Sequence, residues 1–142
     1  MTETLREVWE HLVSQQLTRD IDAWLDCFAA DAVMEWPFRM KGIPARLEGR
    51  AAIRAAVEPV WQRAKQTNRR ITGHEHVEFH QTSDPELAIV EFDIVGDTAQ
   101  GPFRQTVVYV LRIRDGRVLL LREFVDTAAL SELFRVGSIS AS

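Results

Sequence analysis

The stretch Val107–Asp126, VVYVLRIRDGRVLLLREFVD, decides how this chain folds. Two apolar runs flank Asp115-Gly116, and this dipeptide between alternating segments specifies a two-residue β-hairpin. Residues 103–114 and 117–125 are therefore expected to be antiparallel neighbours. Val107, Tyr109 and Leu111 oppose Val108 and Val110 in the first strand; Leu119 and Leu121 oppose Leu120 and Phe124 in the second. Apolar residues on both faces mean that one side packs on helices and the other also needs cover. A second copy of the chain is the simplest cover, which predicts a homodimer joined through the outer sheet face. Glu123 breaks the pattern: strict alternation puts its carboxyl on the face of Leu119, Leu121 and Val125.

Upstream, the same period of two runs back to residue 70. LAIVEFDIVGD (87–97) and RITGHEHVEFH (70–80) read as strands, separated by the turn residues Ser83-Asp84-Pro85 and followed by a turn at 99–102. Before residue 70 the period is helical. Leu5, Val8, Trp9, Leu12, Val13 and Gln16 form a stripe over 3–17, with Thr2 and Thr4 as candidate caps. Asp20 opens a second helix, DIDAWLDCFAA (20–30). A short strand follows at 32–36, stopped by Pro37, and then a loop over 39–49 containing Gly42, Pro44 and Gly49. A third helix spans 50–66, where Pro59 predicts a kink or an interruption. Asp126 or Thr127 caps a short last helix carrying Leu130, Leu133 and Phe134, and the closing GSISAS is expected to fray. Helices gathered ahead of a meandering sheet give an α+β fold.

The 142 residues suit one core, and 46% hydrophobic with 27% charged residues is ordinary for a globular protein. A net charge of −4 argues against nucleic acid as a partner. The basic group Arg63, Lys65, Arg69, Arg70 reads as solvated charge at a helix end. One cysteine, Cys27, precludes an internal disulfide and reads as an inert residue of an apolar helical segment. MTETLREVWE lacks the apolar run of a signal peptide and no segment has the length of a membrane span, so the expected location is cytoplasmic, with no membrane partner. GDTAQG lacks the lysine and the strand–helix context of a phosphate-binding loop, and no serine sits in a nucleophile elbow. No cofactor is expected.

Four segments carry a resemblance: DIDAWLDCFAADAVMEWP (20–37), GIPARLEGRAAIRA (42–55), TSDPELAIVEF (82–92) and the quoted hairpin. Together they resemble the nuclear transport factor two-like superfamily. This group includes ketosteroid isomerase, the SnoaL-like polyketide cyclases, limonene epoxide hydrolase and the dimeric phenazine-biosynthesis proteins. The resemblance implies a single SnoaL-like domain over 1–142. It further implies a cone, in which a strongly curved, mostly antiparallel sheet wraps three helices of the N-terminal half. An apolar pocket opens at one end, a short helix closes the chain, and the protein dimerises. Carried over by position, the general-base aspartate of ketosteroid isomerase falls on Trp36, its oxyanion tyrosine on Leu12 and its protonated aspartate on Tyr109. Double-bond isomerisation by that mechanism is therefore not expected, although the fold is shared. The Asp–Arg–Asp arrangement of limonene epoxide hydrolase is not apparent. The phenazine-biosynthesis proteins have a glutamate acting as acid/base at Glu123, within the same REF spelling, and a histidine that falls near Ala55.

Glu123 is thus the leading chemical candidate. In an apolar pocket its charged form is disfavoured, which raises its pKa toward the range where a carboxyl both gives and takes a proton. The competing readings are an ion pair with Arg104 or Arg112, or exposure at the sheet end. Tyr109, with Gln105 on its face, either polarises a substrate oxygen or is a core tyrosine with a backbone partner. Met34, Trp36 and Phe38 share one side of the first strand and form the expected apolar wall, with Trp61, Phe92 and Leu12 added. His74, His76 and His80 fall on one side of their strand, with the His74-x-His76 pair about 7 Å apart. That spacing chelates a metal if a third ligand comes from elsewhere, but the side opposite the buried Ile71, Val77 and Phe79 favours solvent or the cone mouth, and no metal is expected. The expected function is acid/base chemistry (isomerisation, cyclisation, dehydration or hydration) on a hydrophobic small molecule such as a polyketide, steroid-like or terpenoid compound. The alternative is a non-catalytic binding or dimerisation module.

Overall fold

A computed structural model describes residues 3–39 and 42–132. Helix α1 spans Leu5–Thr18, α2 Ile21–Leu25 and α3 Arg50–Gln66; strands β1 to β6 are Phe28–Glu35, Arg46–Glu48, Arg70–Gln81, Leu87–Thr98, Gly101–Arg114 and Arg117–Val125. A last helical segment covers 127–132. The strands form one sheet in the order β2-β1-β6-β5-β4-β3. Among the described residues, only the β1–β6 pair is parallel. The sheet is curved and unclosed, with the helices in the N-terminal half, as expected for an α+β cone. Helix α3 packs on β1 and α1 on β3, so helices cover both flanks of the sheet and leave space over its middle.

Local chemistry explains the starts and stops. Thr4 caps α1 reciprocally: its hydroxyl accepts from the Glu7 N–H at 3.1 Å while the Glu7 carboxylate accepts from the Thr4 N–H at 3.0 Å. Thr2 lies outside the described residues. The α1 apolar stripe is buried as expected: Val8, Trp9, Leu12 and Val13. Asp20 caps α2 by accepting from the Ala23 N–H. That helix is shorter than its sequence suggests, because the Cys27 carbonyl accepts from the Val118 N–H at 2.8 Å and sheet pairing starts there. Tertiary pairing has overridden local helical preference, and β1 takes residues 28–30 from the expected helix. Cys27 therefore sits in a turn rather than a helix, still buried, and burial pushes its thiol up to about 11.

Two other expectations are corrected, and one alternative is decided. The 39–49 segment contains β2, which pairs with β1 and buries Leu47 opposite Met34. Helix α3 runs without interruption through Pro59; Pro59 and Ala55 are both exposed, so the hydrogen bond that proline cannot make is missing on the solvent side of the helix. Asp126, not Thr127, caps the last helix by accepting from the Ala129 N–H. Leu133, Phe134 and the GSISAS tail lie outside the described residues.

The Asp115-Gly116 turn has φ of 51° and 76°, the two left-handed residues of a type I′ hairpin. Register then places Tyr109 directly opposite Glu123. Bulges alter the faces elsewhere. Leu119 is an extra residue between the pairs Arg112–Leu120 and Ile113–Val118, so the inner face of β6 is Val118, Leu121, Glu123 and Val125, without Leu119. Strand β3 shifts register twice, between Ile71 and Gly73 and between Glu75 and Glu78. Its inner residues are consequently Ile71, His74, Val77 and Phe79, of which Ile71, His74 and Phe79 lie opposite Gly96, Ile94 and Val90. Among the described residues, no helix is long and apolar enough to cross a membrane.

Candidate functional site

A cavity of about 370 Å³ fills the space between the helices and the middle of the sheet. Its floor is Gln105, Val107 and Tyr109 of β5 with Glu123 and Val125 of β6. Met34 and Trp36 form one wall; Val57, Val60 and Trp61 of α3 form another; Gln16 and Arg19 come from the end of α1. Ile43 and Pro44, within the segment expected to shape the entrance, also line it, as does Leu130 of the last helix. The volume falls within the range of small-molecule pockets, and the lining is mostly apolar with a few polar groups.

Glu123 is held in this floor by donors. The Trp36 Nε1–H donates to its Oε1 at 3.2 Å, and the Tyr109 hydroxyl opposite makes a second hydrogen bond. Enclosure by protein raises the carboxyl pKa above the ordinary 4.5; the two donors pull it back only in part. Neither proposed arginine partner reaches it. Arg104 binds Glu75 at 2.6 Å and Asp93 at 2.8 Å, and Arg112 binds Asp84 at 3.0 Å, all on the outer face.

Tyr109 also finds a side-chain rather than a backbone partner. Gln16 Nε2–H donates to its oxygen at 3.2 Å, and the Gln16 carbonyl oxygen lies 2.8 Å from His74 Nε2. His74, Gln16, Tyr109, Glu123 and Trp36 thus form one hydrogen-bonded chain, polarised toward the carboxyl. Burial lowers the His74 pKa and keeps the ring neutral, so its Nε2–H donates to Gln16. The Tyr109 hydroxyl is pushed well above its usual range by burial and then by the adjacent Glu123. It acts as a donor, not as a phenolate.

Of the expected lining residues, Glu123, Tyr109, Gln105, Met34, Trp36 and Trp61 all meet at the cavity. Three do not. Phe38 lies beyond the end of β1, is 60% exposed and packs on Phe124 of the outer face at 5.6 Å. Leu12 and Phe92 are fully buried in the core beside the cavity, Phe92 meeting Tyr109 edge-on at 4.9 Å and Trp9 of α1 at 5.1 Å. The sequence reading missed Gln16, Arg19, Arg69 and His74 as site residues. Gln16 had a usable signal: like Glu123, it is polar on an apolar stripe. Gly73 inside a strand was the mark of the bulge that turns His74 inward.

The three-histidine face does not form. His74 points inward, His76 (φ 54°) sits at the second irregularity against Asp93 at 2.8 Å, and His80 pairs with exposed Glu91 at 2.7 Å. Glu78, His80 and Glu91 bring ligand-type atoms within 4.8 Å of one another, all three on exposed residues, as a solvated ion-pair group does.

Residues 5–120 match the model of the SnoaL-like domain. The chain belongs to the SnoaL-like family. Within it, an uncharacterized PhzA/B-like protein of Pseudomonas aeruginosa is 32% identical over 140 residues, covering 96% of this chain and 93% of that one. A Bacillus subtilis protein solved as a candidate isomerase superposes with a TM-score of 0.79 at 26% identity, over 92% of both chains. TerC, solved with polyporic acid, shares the fold with a TM-score of 0.69 at 20% identity, over 92% of this chain and 97% of its own.

Proposed function

We propose that this SnoaL-like protein carries out acid/base chemistry on a hydrophobic small molecule, with Glu123 as the group that takes and returns the proton. The observation that carries the reading is an enclosed carboxyl in the floor of an apolar cavity, with a raised pKa and no cationic partner among the described residues. A carboxyl so placed abstracts a proton from an activated carbon or donates one to a leaving oxygen, as isomerisation, cyclisation, dehydration and hydration all require. Trp36 and Tyr109 fix the carboxyl, while Gln105 is free to polarise a substrate oxygen. Met34, Trp36 and Trp61 receive the apolar body. TerC, a protein of the same fold, was co-crystallized with polyporic acid, which supports a small organic ligand for this chain. Polyketide-like, steroid-like and terpenoid compounds are the classes to test.

The experiment is solvent deuterium incorporation at the acidic C–H of a panel of cyclic and aromatic polyketone mimics. Wild type accelerates the exchange of at least one compound, and Glu123→Gln reduces that rate by about 10²-fold or more. Equal rates in both proteins contradict the role. A second reading, a binding module, is favoured by one feature: both neighbours of Glu123 donate to it, as they would to a fixed polar anchor. Ligand binding without exchange in either protein selects that reading.

The homodimer belongs to the same proposal. Half-buried Val108, Val110, Leu120 and Phe124, with Phe38 beside them, give the outer face an apolar strip for a second copy to cover.

A further inference from the structure

Two members of the hydrogen-bonded chain that ends on Glu123 have no part in the acid/base role. Gln16 lines the cavity, yet its amide is committed to the protein: Nε2–H donates to the Tyr109 oxygen at 3.2 Å, and Oε1 lies 2.8 Å from His74 Nε2. His74 is half-buried and outside the lining. These contacts join α1, β3 and β5, so the alignment is tertiary and not a product of one strand's period. Phe92 of β4 braces both rings, 4.9 Å from Tyr109 and 5.8 Å from His74. The register shift after Ile71 is what turns His74 to this side.

The hydrogen inventory fixes the direction of the chain. A glutamine carbonyl oxygen only accepts, and its NH2 only donates. With the Gln16 oxygen toward His74, the imidazole Nε2 must carry a hydrogen, in the neutral and the charged ring alike. The Gln16 N–H then occupies the Tyr109 oxygen as a donor. The single hydrogen of the Tyr109 hydroxyl is left to point at Glu123, its partner across the β5–β6 pair. Turning the Gln16 amide over would reverse this order. Its carbonyl would face Tyr109, take the hydroxyl hydrogen and leave Glu123 with the Trp36 donor. His74 opposes that turn, because its Nε2–H would then meet an N–H. The amide passes on orientation and not protons, since an amide N–H donates without accepting.

We propose that Gln16 and His74 are positioning residues, which aim the Tyr109 hydroxyl at Glu123 and so set how readily that carboxyl gives and takes a proton. The assignment rests on the acid/base reading for its purpose, but the geometry is measurable without turnover. A donor to the charged form of a carboxyl favours that form, so losing the Tyr109 donor raises the Glu123 pKa. The other charged side chains of the described lining, Arg19 at the α1 cap and Arg69 ahead of β3, are the same in every variant compared.

Titration of the ¹³C-labelled Glu123 carboxyl tests it in wild type, His74→Phe, His74→Gln, Tyr109→Phe and the double variant of His74→Phe with Tyr109→Phe. His74→Phe raises the midpoint by about half a pH unit or more. His74→Gln, which keeps an N–H donor, returns it toward wild type. In the Tyr109→Phe background, His74→Phe leaves the midpoint unchanged, because no hydroxyl remains to be aimed. An unchanged midpoint in His74→Phe overturns the proposal. So does a shift of equal size with and without the hydroxyl, which is what loosened packing gives. Nitrogen-15 shifts of the wild-type histidine rings at about pH 8, where the His74 ring is neutral, keep the proposal testable if His74→Phe does not fold. They show a hydrogen on His74 Nε2; a bare Nε2 with the hydrogen on Nδ1 overturns the proposal. A wild-type Glu123 midpoint at or below 4.5 contradicts the acid/base reading, whereas the positioning stands or falls on the difference between variants.

Discussion

At the scale of single residues, opposite environments push two carboxyls in opposite directions. Asp93, on the outer face, accepts from the Thr106 hydroxyl at 2.7 Å and also meets His76 and Arg104 at 2.8 Å, which holds its pKa down at about 2. A depressed carboxyl stabilises the fold above its unfolded value near 3.8, and that contribution is lost as pH falls toward 2. Asp93→Asn should therefore flatten the acid limb of a stability–pH curve between about pH 4 and pH 2, measured by denaturant titration. Glu123 has the reverse sign. Its raised native pKa means that the folded protein holds the proton more tightly than the unfolded chain does. Stability falls as pH rises from about 4.5 through the native value, and Glu123→Gln removes that decline. Its site was legible because a lone acid on an apolar strand is a conspicuous exception. The arginines of the lining were not, since an arginine just past a helix end looks like any solvated charge until the fold encloses it.

Among the elements, hairpins were the readable part and bulges the unreadable part. Asp115-Gly116 fixed the β5–β6 register, and with it the Tyr109–Glu123 pair, from two residues. Strand β3 offered an equally clean alternation, yet the first of its two one-residue slips inverted the side of His74 and the second restored the phase by Phe79. A period-two pattern holds no record of where the extra residue goes; only Gly73 hinted at it. The α2–β1 boundary failed for another reason, because pairing of Cys27 with Val118 is a long-range contact that local preference does not encode. Two predictions belong here. Thr4→Ala should destabilise the protein by about 1 kcal/mol through loss of the α1 cap, read from the denaturation midpoint. Gly96→Ala should cost roughly 1–3 kcal/mol, because its new methyl would collide with the Arg70 carbonyl oxygen and sit 2.7 Å from the Phe103 ring. A Gly96→Ala protein of unchanged stability would show that the β3–β4 pairing is looser than described.

For the molecule as a whole, the α+β class followed from element order, and the cone from the family resemblance. The cavity required the curvature, since it is the unclosed sheet with α1 on one flank and α3 on the other that leaves room over β5 and β6. The outer face is less uniformly apolar than its sequence suggests, because Glu35 with Arg46 and Arg122, and Asp93 with Arg104, place ion pairs on it. If a second copy covers the apolar strip between them, sedimentation should give the mass of two chains for wild type and of one for Val110→Glu; a wild-type monomer would contradict the dimer. The account nevertheless stands on Glu123, and its carboxyl can be measured directly. In protein labelled with ¹³C at the glutamate side-chain carboxyl, the resonance absent from Glu123→Gln should titrate with an apparent pKa above the ordinary 4.5. A midpoint at or below that value would show a solvated or firmly ionised carboxylate, and would contradict the enclosed acid/base group at the centre of this site.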